Sequence, residues 1–431
     1  MKIDIFGTGY VGLTLALVLA KHSHIVKCWD IDENKIKAYK AYKSDIREPF
    51  IDEMLREYQN NNNLDFDVYS KYKFIKTDLA IITIGTSLKD NSTKKSHEYL
   101  FKLVEELVGN NVNSILLRST VEVGTCRKLN NKFGKNCNFI FAPERTIEGK
   151  AIEELLTLPQ IAACINKESR RLVKKCFSPL GIQIYFSDKW EEAELAKLVC
   201  NVYRDYNFSF SNLLLRITNE LSLDASKVID LVSSNYNRMP LLKTGPVSGP
   251  CLTKDSLILS NSISDNTSKI VLENTRKINK DVIEFAKADI RYIANKLETS
   301  KLLFIGLTFK NNPFTTDTRE SHSLELIRSL KNHFQCSIYD PYTDKDSKVE
   351  FDKYFVDDFP NRNQEWTSED GLWVAVNVPE GTWDRQILSI MAYSPDHATQ
   401  IRNVWEAMDS EARGDSIIYL TATLGDDTFI Y

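Results

Sequence analysis

The sequence predicts an α/β protein: two parallel-sheet domains joined by a central helical domain built around one long helix. Three observations carry that expectation. Short apolar runs alternate with helical stretches from residue 2 onward, the pattern of a doubly wound sheet. Near Trp190 the alternation stops and a single helical pattern runs over 190–221. It then resumes at Lys301 with strand, helix and strand. The expected domain limits are 1–187, 188–295 and 296–431.

In the first domain, Lys2–Phe6 reads as a strand, 10–22 as a helix and 25–29 as a second strand. The unbroken apolar runs 79–84, Ser114–Leu117 and 139–141 read as strands covered on both faces, which lose polar alternation. The Asn-rich stretch 60–63 reads as a solvated loop. A second helix is expected over 270–295 in the middle region. The closing domain reads as strand Lys301–Ile305, helix 323–333 and strand Gln335–Tyr339, with further strands at 371–378 and 416–422.

Composition narrows the function. The chain has 431 residues, 42% hydrophobic and 26% charged, as in a globular protein of two or three domains. Net charge is −4 without a basic block, so nucleic acid is not an expected partner. No stretch reaches the roughly 20 apolar residues of a membrane span. The apolar run at 10–20 is broken by Gly12 and Thr14, so a signal peptide is not expected. Eight scattered cysteines lack CxxC or zinc-type spacing. They read as reduced thiols of a cytoplasmic enzyme with no metal site.

Two local patterns carry chemistry. Gly7-Thr8-Gly9-Tyr10-Val11-Gly12 follows a strand and opens a helix, the context of a dinucleotide loop. Gly7 allows the tight turn, Gly9 lets the backbone approach a pyrophosphate, and Gly12 lets helix and strand pack closely. Asp30 ends the next strand, where a carboxylate accepts from ribose hydroxyls and repels a 2′-phosphate. Two Rossmann-like domains and NAD rather than NADP are therefore expected. Cys251 stands in Gly249-Pro-Cys-Leu-Thr-Lys-Asp255. A thiolate captures an aldehyde covalently. A hydride acceptor and such a cysteine together suggest oxidation of an alcohol twice, to an acid. Lys197 and Asn201, four apart on the long helix, share a face, and Arg204 lies on it as well.

The chain resembles the nucleotide-sugar 6-dehydrogenases, the UDP-glucose/UDP-N-acetylhexosamine dehydrogenase family. The matching pieces, in order, are GTGYVG, DIDENK from Asp30, RSTVEVGT from Arg118 and APERTIEGKA from Ala142. KLVCNVYRDYNFSFSN from Lys197, GPCLTKD from Gly249 and FKNNPFTTDTRES from Phe309 follow. The resemblance implies that Cys251 is the nucleophile. It implies that Lys197, with Asn201, stabilises charge on the substrate oxygen, and that Asp255 positions water or a base. Glu144 becomes the water-activating base. Ser119 and Thr120 join the loop near the nicotinamide. Tyr10, Val11, Lys35, Thr86, Glu148 and Lys254 fall among the cofactor contacts. Arg145, Arg204, Arg238, Lys310 and Arg319 fall among residues that hold the nucleotide sugar. The resemblance also implies a homodimer or higher homo-oligomer, with the long helix at its core, serving surface-polysaccharide synthesis.

Two substrate branches stay open. Arg145 after Pro143-Glu144, and Arg204-Asp205 in the long helix, look like the branch that oxidises UDP-N-acetylhexosamines; an arginine can donate to an acetamido carbonyl. Lys254 looks more like the UDP-glucose branch. The approach to the cysteine, Thr244-Gly-Pro-Val-Ser-Gly-Pro250, departs from the family's usual GPGVGG.

Overall fold

The computed structural model describes residues 1–72, 76–85, 93–236, 238, 241–242, 244–245, 247–296, 300–310, 315–340, 351–355, 372–376 and 417–420. The chain forms two compact units: Met1–Cys200 with Asn261–Ser264, and Asn201–Ser260 with Asp265–Tyr431.

In the first unit β1 (Lys2–Phe6), α1 (Tyr10–Lys21), β2 (Ile25–Asp30), α2 (Glu33–Lys40), α3 (Ile51–Asn60) and β3 (Leu64–Val68) come first. They are followed by β4 (Leu79–Ile82), α4 (Thr93–Gly109), β5 (Ser114–Leu117), α5 (Thr125–Phe133) and β6 (Asn138–Phe141). The unit continues with α6 (Ala151–Thr157), β7 (Gln160–Cys164), α7 (Lys167–Phe177), β8 (Ile184–Ser187) and the start of α8 (Trp190–Glu220). The eight strands run in the order β3-β2-β1-β4-β5-β6-β7-β8. The strand order reverses between β1 and β4, the switch point at which open α/β sheets bind ligands. The loop leaving β1 is Gly7–Gly12. All four residues of β4 and of β5 are buried, which is why those runs carry no polar alternation. One apolar cluster, with Leu13, Leu17 and Ile81, and another, with Ile82, Leu117 and Phe139, form the core.

Not all of this sheet is parallel. β7 pairs antiparallel with β6, and β8 pairs parallel with β7. α6 has seven residues, about 10 Å of rise, and the chain rejoins the sheet without crossing back to the start of β6. Strand 79–84 ends at Ile82 in the structure. Asn62 turns the chain between α3 and β3 in a left-handed conformation, φ 58°, which Asn tolerates better than most residues.

The second unit holds the remainder of α8, α9 (Ala225–Ser233), α10 (Leu252–Ser262, its last two residues assigned to the first unit) and α11 (Asn266–Lys296). Then come β9 (Lys301–Ile305), α12 (His322–Leu330), β10 (Gln335–Tyr339), β11 (Leu372–Val376) and β12 (Ile417–Leu420). These four strands form a parallel sheet in the order β10-β9-β11-β12. Ile283, Ala286 and Ile290 of α11, spaced as one helical face, pack with Phe304 and with Leu326 and Ile327 of α12. No helix among the described residues is long and apolar enough to cross a membrane.

Candidate active site

The cofactor loop has the geometry its glycines require. Gly7 adopts φ 95°, a conformation that favours glycine. A Cβ on Gly12 would lie 2.0 Å from the Gly7 carbonyl oxygen, so only glycine lets α1 approach the turn. A Cβ on Gly9 would meet nothing within 4 Å, so the loop leaves open space at the N-terminus of α1. Open space over a helix N-terminus suits a pyrophosphate, because free N–H groups and the helix dipole both favour an anion there. Asp30 Oδ2 accepts from Thr8 N at 2.6 Å and Thr8 Oγ1 at 2.8 Å. Its Oδ1 accepts from Asp32 N at 3.0 Å. The carboxylate is thus held at the end of β2 beside the loop, and these residues fit NAD. Lys35 is half-buried on α2, and Val11 is half-buried on α1.

Tyr10 and Glu48 brace a second loop of this unit. Gly149 N donates to the Tyr10 hydroxyl at 2.5 Å and to Glu48 Oε1 at 2.7 Å. Glu48 Oε1 also accepts from Ala151 N at 3.0 Å, so a distant carboxylate caps α6. Glu148 is half-buried in the loop so held.

Glu144 is buried and fully engaged. Arg118, itself 2% exposed, donates from Nε at 3.0 Å and NH2 at 2.5 Å to Glu144 Oε2. Glu144 Oε1 accepts from Arg145 N at 2.7 Å and Thr146 N at 2.9 Å. Burial pushes this carboxyl upward, but Arg118 and the two amides outweigh it and hold it below its ordinary value. Arg118 NH1 further donates to Ala142 O at 3.1 Å and Gln160 Oε1 at 2.9 Å. Sequence reasoning missed Arg118 as an anchor. The available signal was a charged residue closing the fully apolar run of β5. The Arg145 guanidinium donates to the Pro159 carbonyl and lines an apolar cavity of about 370 Å³ with Tyr185 and Glu192.

Ser119 Oγ donates to Ile84 O at 2.7 Å, and Thr120 is half-buried beside it. The loop they begin is tied to α8 by Glu194, whose carboxylate accepts from Gly124 N at 2.6 Å and Cys126 N at 2.8 Å. Lys197, one turn further along α8, is buried. Thr86 lies outside the described residues.

In the second unit Cys251 is exposed immediately before α10. None of the eight cysteines forms a disulfide; Cys200 is half-buried and the other six are buried. The Cys251 carbonyl accepts from Asp255 N at 3.0 Å and Lys254 N at 3.3 Å, beginning the helix. Asp255 is 1% exposed, and Asn201 Nδ2 donates to its Oδ2 at 2.6 Å. The loop ahead of Cys251 is docked on the segment after β9: Ser248 Oγ donates to Phe309 O at 2.8 Å. Lys310, next along that segment, is buried with Nζ 5.6 Å from the Phe309 ring centre. Arg319 is exposed and donates from Nε to Asp317 Oδ2 at 2.8 Å. Arg204 is half-buried on α8, and Arg238 is exposed with its guanidinium 4.8 Å from the Tyr236 ring.

This fold and these residues describe a dehydrogenase with a dinucleotide-binding sheet and a cysteine-bearing second unit. The chain belongs to the UDP-glucose/GDP-mannose dehydrogenase family, an NAD-using oxidoreductase family acting on nucleotide sugars: its NAD-binding domain matches residues 1–181, its central domain 191–281 and its UDP-binding domain 303–380. The UDP-N-acetyl-D-mannosamine dehydrogenase of Methanococcus maripaludis is 29% identical over 353 residues, covering 80% of each chain. The UDP-glucose 6-dehydrogenase of Rickettsia bellii is 27% identical over 345 residues, covering 77% of this chain and 78% of that one. The solved UDP-D-ManNAc dehydrogenase of Pyrococcus horikoshii superposes with a TM-score of 0.72 at 23% identity, over 88% of this chain and 89% of its own. At that identity the likeness concerns the fold.

Proposed function

We propose that this protein oxidises the primary alcohol of a UDP-N-acetylhexosamine to the uronic acid in two NAD-dependent steps, through a covalent adduct on Cys251. The observation that carries this reading is the exposed Cys251 thiol at the start of α10, with the buried Asn201–Asp255 pair beside it in the same unit. Each oxidation releases a hydride, which bound NAD would accept, and the hydroxyl proton, which passes to water. Lys197 and Asn201 donate to the substrate oxygen as negative charge develops on it. The Cys251 thiolate adds to the aldehyde, giving a thiohemiacetal. Loss of a second hydride leaves a thioester, and water cleaves it to the acid, returning the thiol. Asp255 orients that water. Glu144, held by Arg118 and two backbone amides, anchors the loop 143–148. Lys310 and Arg319 hold the nucleotide.

The sugar reading rests on Arg204 and on the mannosamine enzymes among the similar proteins. UDP-glucose is the second reading, favoured by Lys254 and by the Rickettsia relative. A panel of UDP-sugars with NAD, followed at the nicotinamide absorbance, decides between them. Two NADH per acid, with an acetamido sugar preferred, is the expected outcome. Turnover of UDP-glucose alone would move the assignment to the second branch, and one NADH per product would remove the two-step chemistry.

We also infer a homodimer through α8. Tyr203, Tyr206, Phe210, Leu213 and Ile217 recur every three or four residues along it, and all are exposed. Such a stripe is the seam of a helix that packs on another. Phe210→Glu should halve the mass measured by light scattering; an unchanged mass would rule this face out.

A further inference from the structure

Asp205 lies one turn beyond Asn201 on α8 and is fully buried. Its Oδ2 accepts from Ser256 Oγ of α10 at 2.8 Å. Its Oδ1 accepts from Arg276 NH1 at 2.5 Å and Asn279 Nδ2 at 2.7 Å, both on α11. Asn279 Oδ1 in turn accepts from Asn212 Nδ2 at 2.8 Å. Asn212 exchanges two bonds with the backbone of Gly245, at 2.8 and 2.9 Å, upstream of Cys251.

Two rungs therefore join α8 to α10: Asn201 to Asp255, and Asp205 to Ser256. On α8 the two anchors are one turn apart and share a face. On α10 they are neighbours, about 100° apart around the axis. One rung would fix the height of α10 and leave it free to swivel. Two rungs at different angles fix its rotation as well. Cys251 begins α10 through its carbonyl bond to Asp255 N, so its place follows that rotation. Arg276 meets the buried charge of Asp205, which would otherwise oppose folding.

We propose that Asp205 is a positioning residue for the oxidation: through Ser256 it sets the rotation of α10, and with it the place of the Cys251 thiol and the Asp255 carboxylate. The proposal rests on the reading of Cys251 as the nucleophile.

Ser256→Ala removes the second rung and leaves the Asp205–Arg276 pair intact. A small displacement of a reacting group is costly, so kcat should fall about tenfold. KM for the UDP-sugar and for NAD should stay within about twofold, and Tm should fall by only a few degrees, because Asp205 keeps Arg276 and Asn279. Ser256→Thr retains the hydroxyl and should restore most of kcat. The rate at which iodoacetamide alkylates Cys251, followed by peptide mass, should change severalfold in Ser256→Ala and revert in Ser256→Thr. Asp205→Ala should show the same kcat loss with a lower Tm. Normal kcat and normal alkylation in Ser256→Ala would overturn the proposal. So would a kcat loss that Ser256→Thr fails to rescue. Acid formation at the normal rate by Cys251→Ala would instead defeat the nucleophile reading, and the alkylation rates would still test the positioning.

Discussion

Gly249 lies against the ring of Phe309: a Cβ on Gly249 would fall 2.6 Å from Phe309 Cδ2, and the residue has φ 93°. Two separate constraints therefore demand glycine two residues before Cys251. Gly249→Ala adds a left-handed penalty of about 1–2 kcal/mol to a steric overlap with an aromatic ring. It should lower Tm and reduce turnover more than it reduces NAD affinity, since the cofactor loop belongs to the other unit. Phe309→Leu in the Gly249→Ala background should recover part of the loss. Unchanged Tm and turnover in Gly249→Ala would show that the loop yields.

Cys251→Ser tests the covalent route. A serine ester is more stable toward water than a thioester, and a hydroxyl is harder to deprotonate than a thiol. The variant should stall after partial turnover and carry sugar visible by intact-protein mass. Cys251→Ala should form no acid while NAD binding, measured by calorimetry, is unaffected. Steady acid production by either variant would mean that the second oxidation proceeds through the hydrated aldehyde.

Arg118→Leu strands the Glu144 carboxylate in a buried site. Breaking one partner of a buried ion pair costs about 3–5 kcal/mol, so thermal unfolding should shift strongly downward. Arg118→Leu combined with Glu144→Leu should recover much of that loss, because no charge is then left unpaired. A double variant as unstable as the single one would mean that the bonds of Arg118 to Ala142 and Gln160 dominate.

Asp4, in the middle of β1, gives a pH signature. Burial raises its carboxyl to about 6, opposed by the Trp29 indole N–H and the charge of Lys27. Its Oδ2 makes no hydrogen bond. A folded-state value above the unfolded one means that the folded protein favours the protonated acid. The resulting stabilisation is complete below about 4 and is lost as pH rises through about 6. Asp4→Asn keeps an acceptor for Trp29 and removes the charge. It should therefore stabilise the protein by about 3 kcal/mol at pH 7–8 and leave it nearly unchanged at pH 4. Equal Tm shifts at both pH values would refute the assignment.

Much of the fold is readable without coordinates. β1, β5, β9 and β10 stand at the limits that their apolar runs indicate, and α8 ends one residue earlier than its pattern. β3, β7 and β8 were not expected, although none is shorter than β5; in β3 the alternation of buried Leu64, Phe66 and Val68 with Asp65 and Asp67 was the available signal. β7 also turns antiparallel, which no local run of residues encodes, because strand direction depends on where the chain re-joins the sheet. The expected strands 371–378 and 416–422 appear as β11 and β12.

What the sequence by itself determined are features made of chain neighbours. The glycine spacing of the cofactor loop, the acid closing β2 and the cysteine set between Pro250 and Leu252 are visible because their chemistry is local. What only the tertiary structure decided is which distant side chains meet. Arg118 finds Glu144, Glu48 caps α6, Asn201 bonds Asp255 and Asp205 bonds Ser256 only once helices and strands have packed. Periodicity assigns a residue to a face, but burial then requires that each polar group on that face find a partner. The identity of that partner depends on how the elements stack, and no spacing along the chain records it.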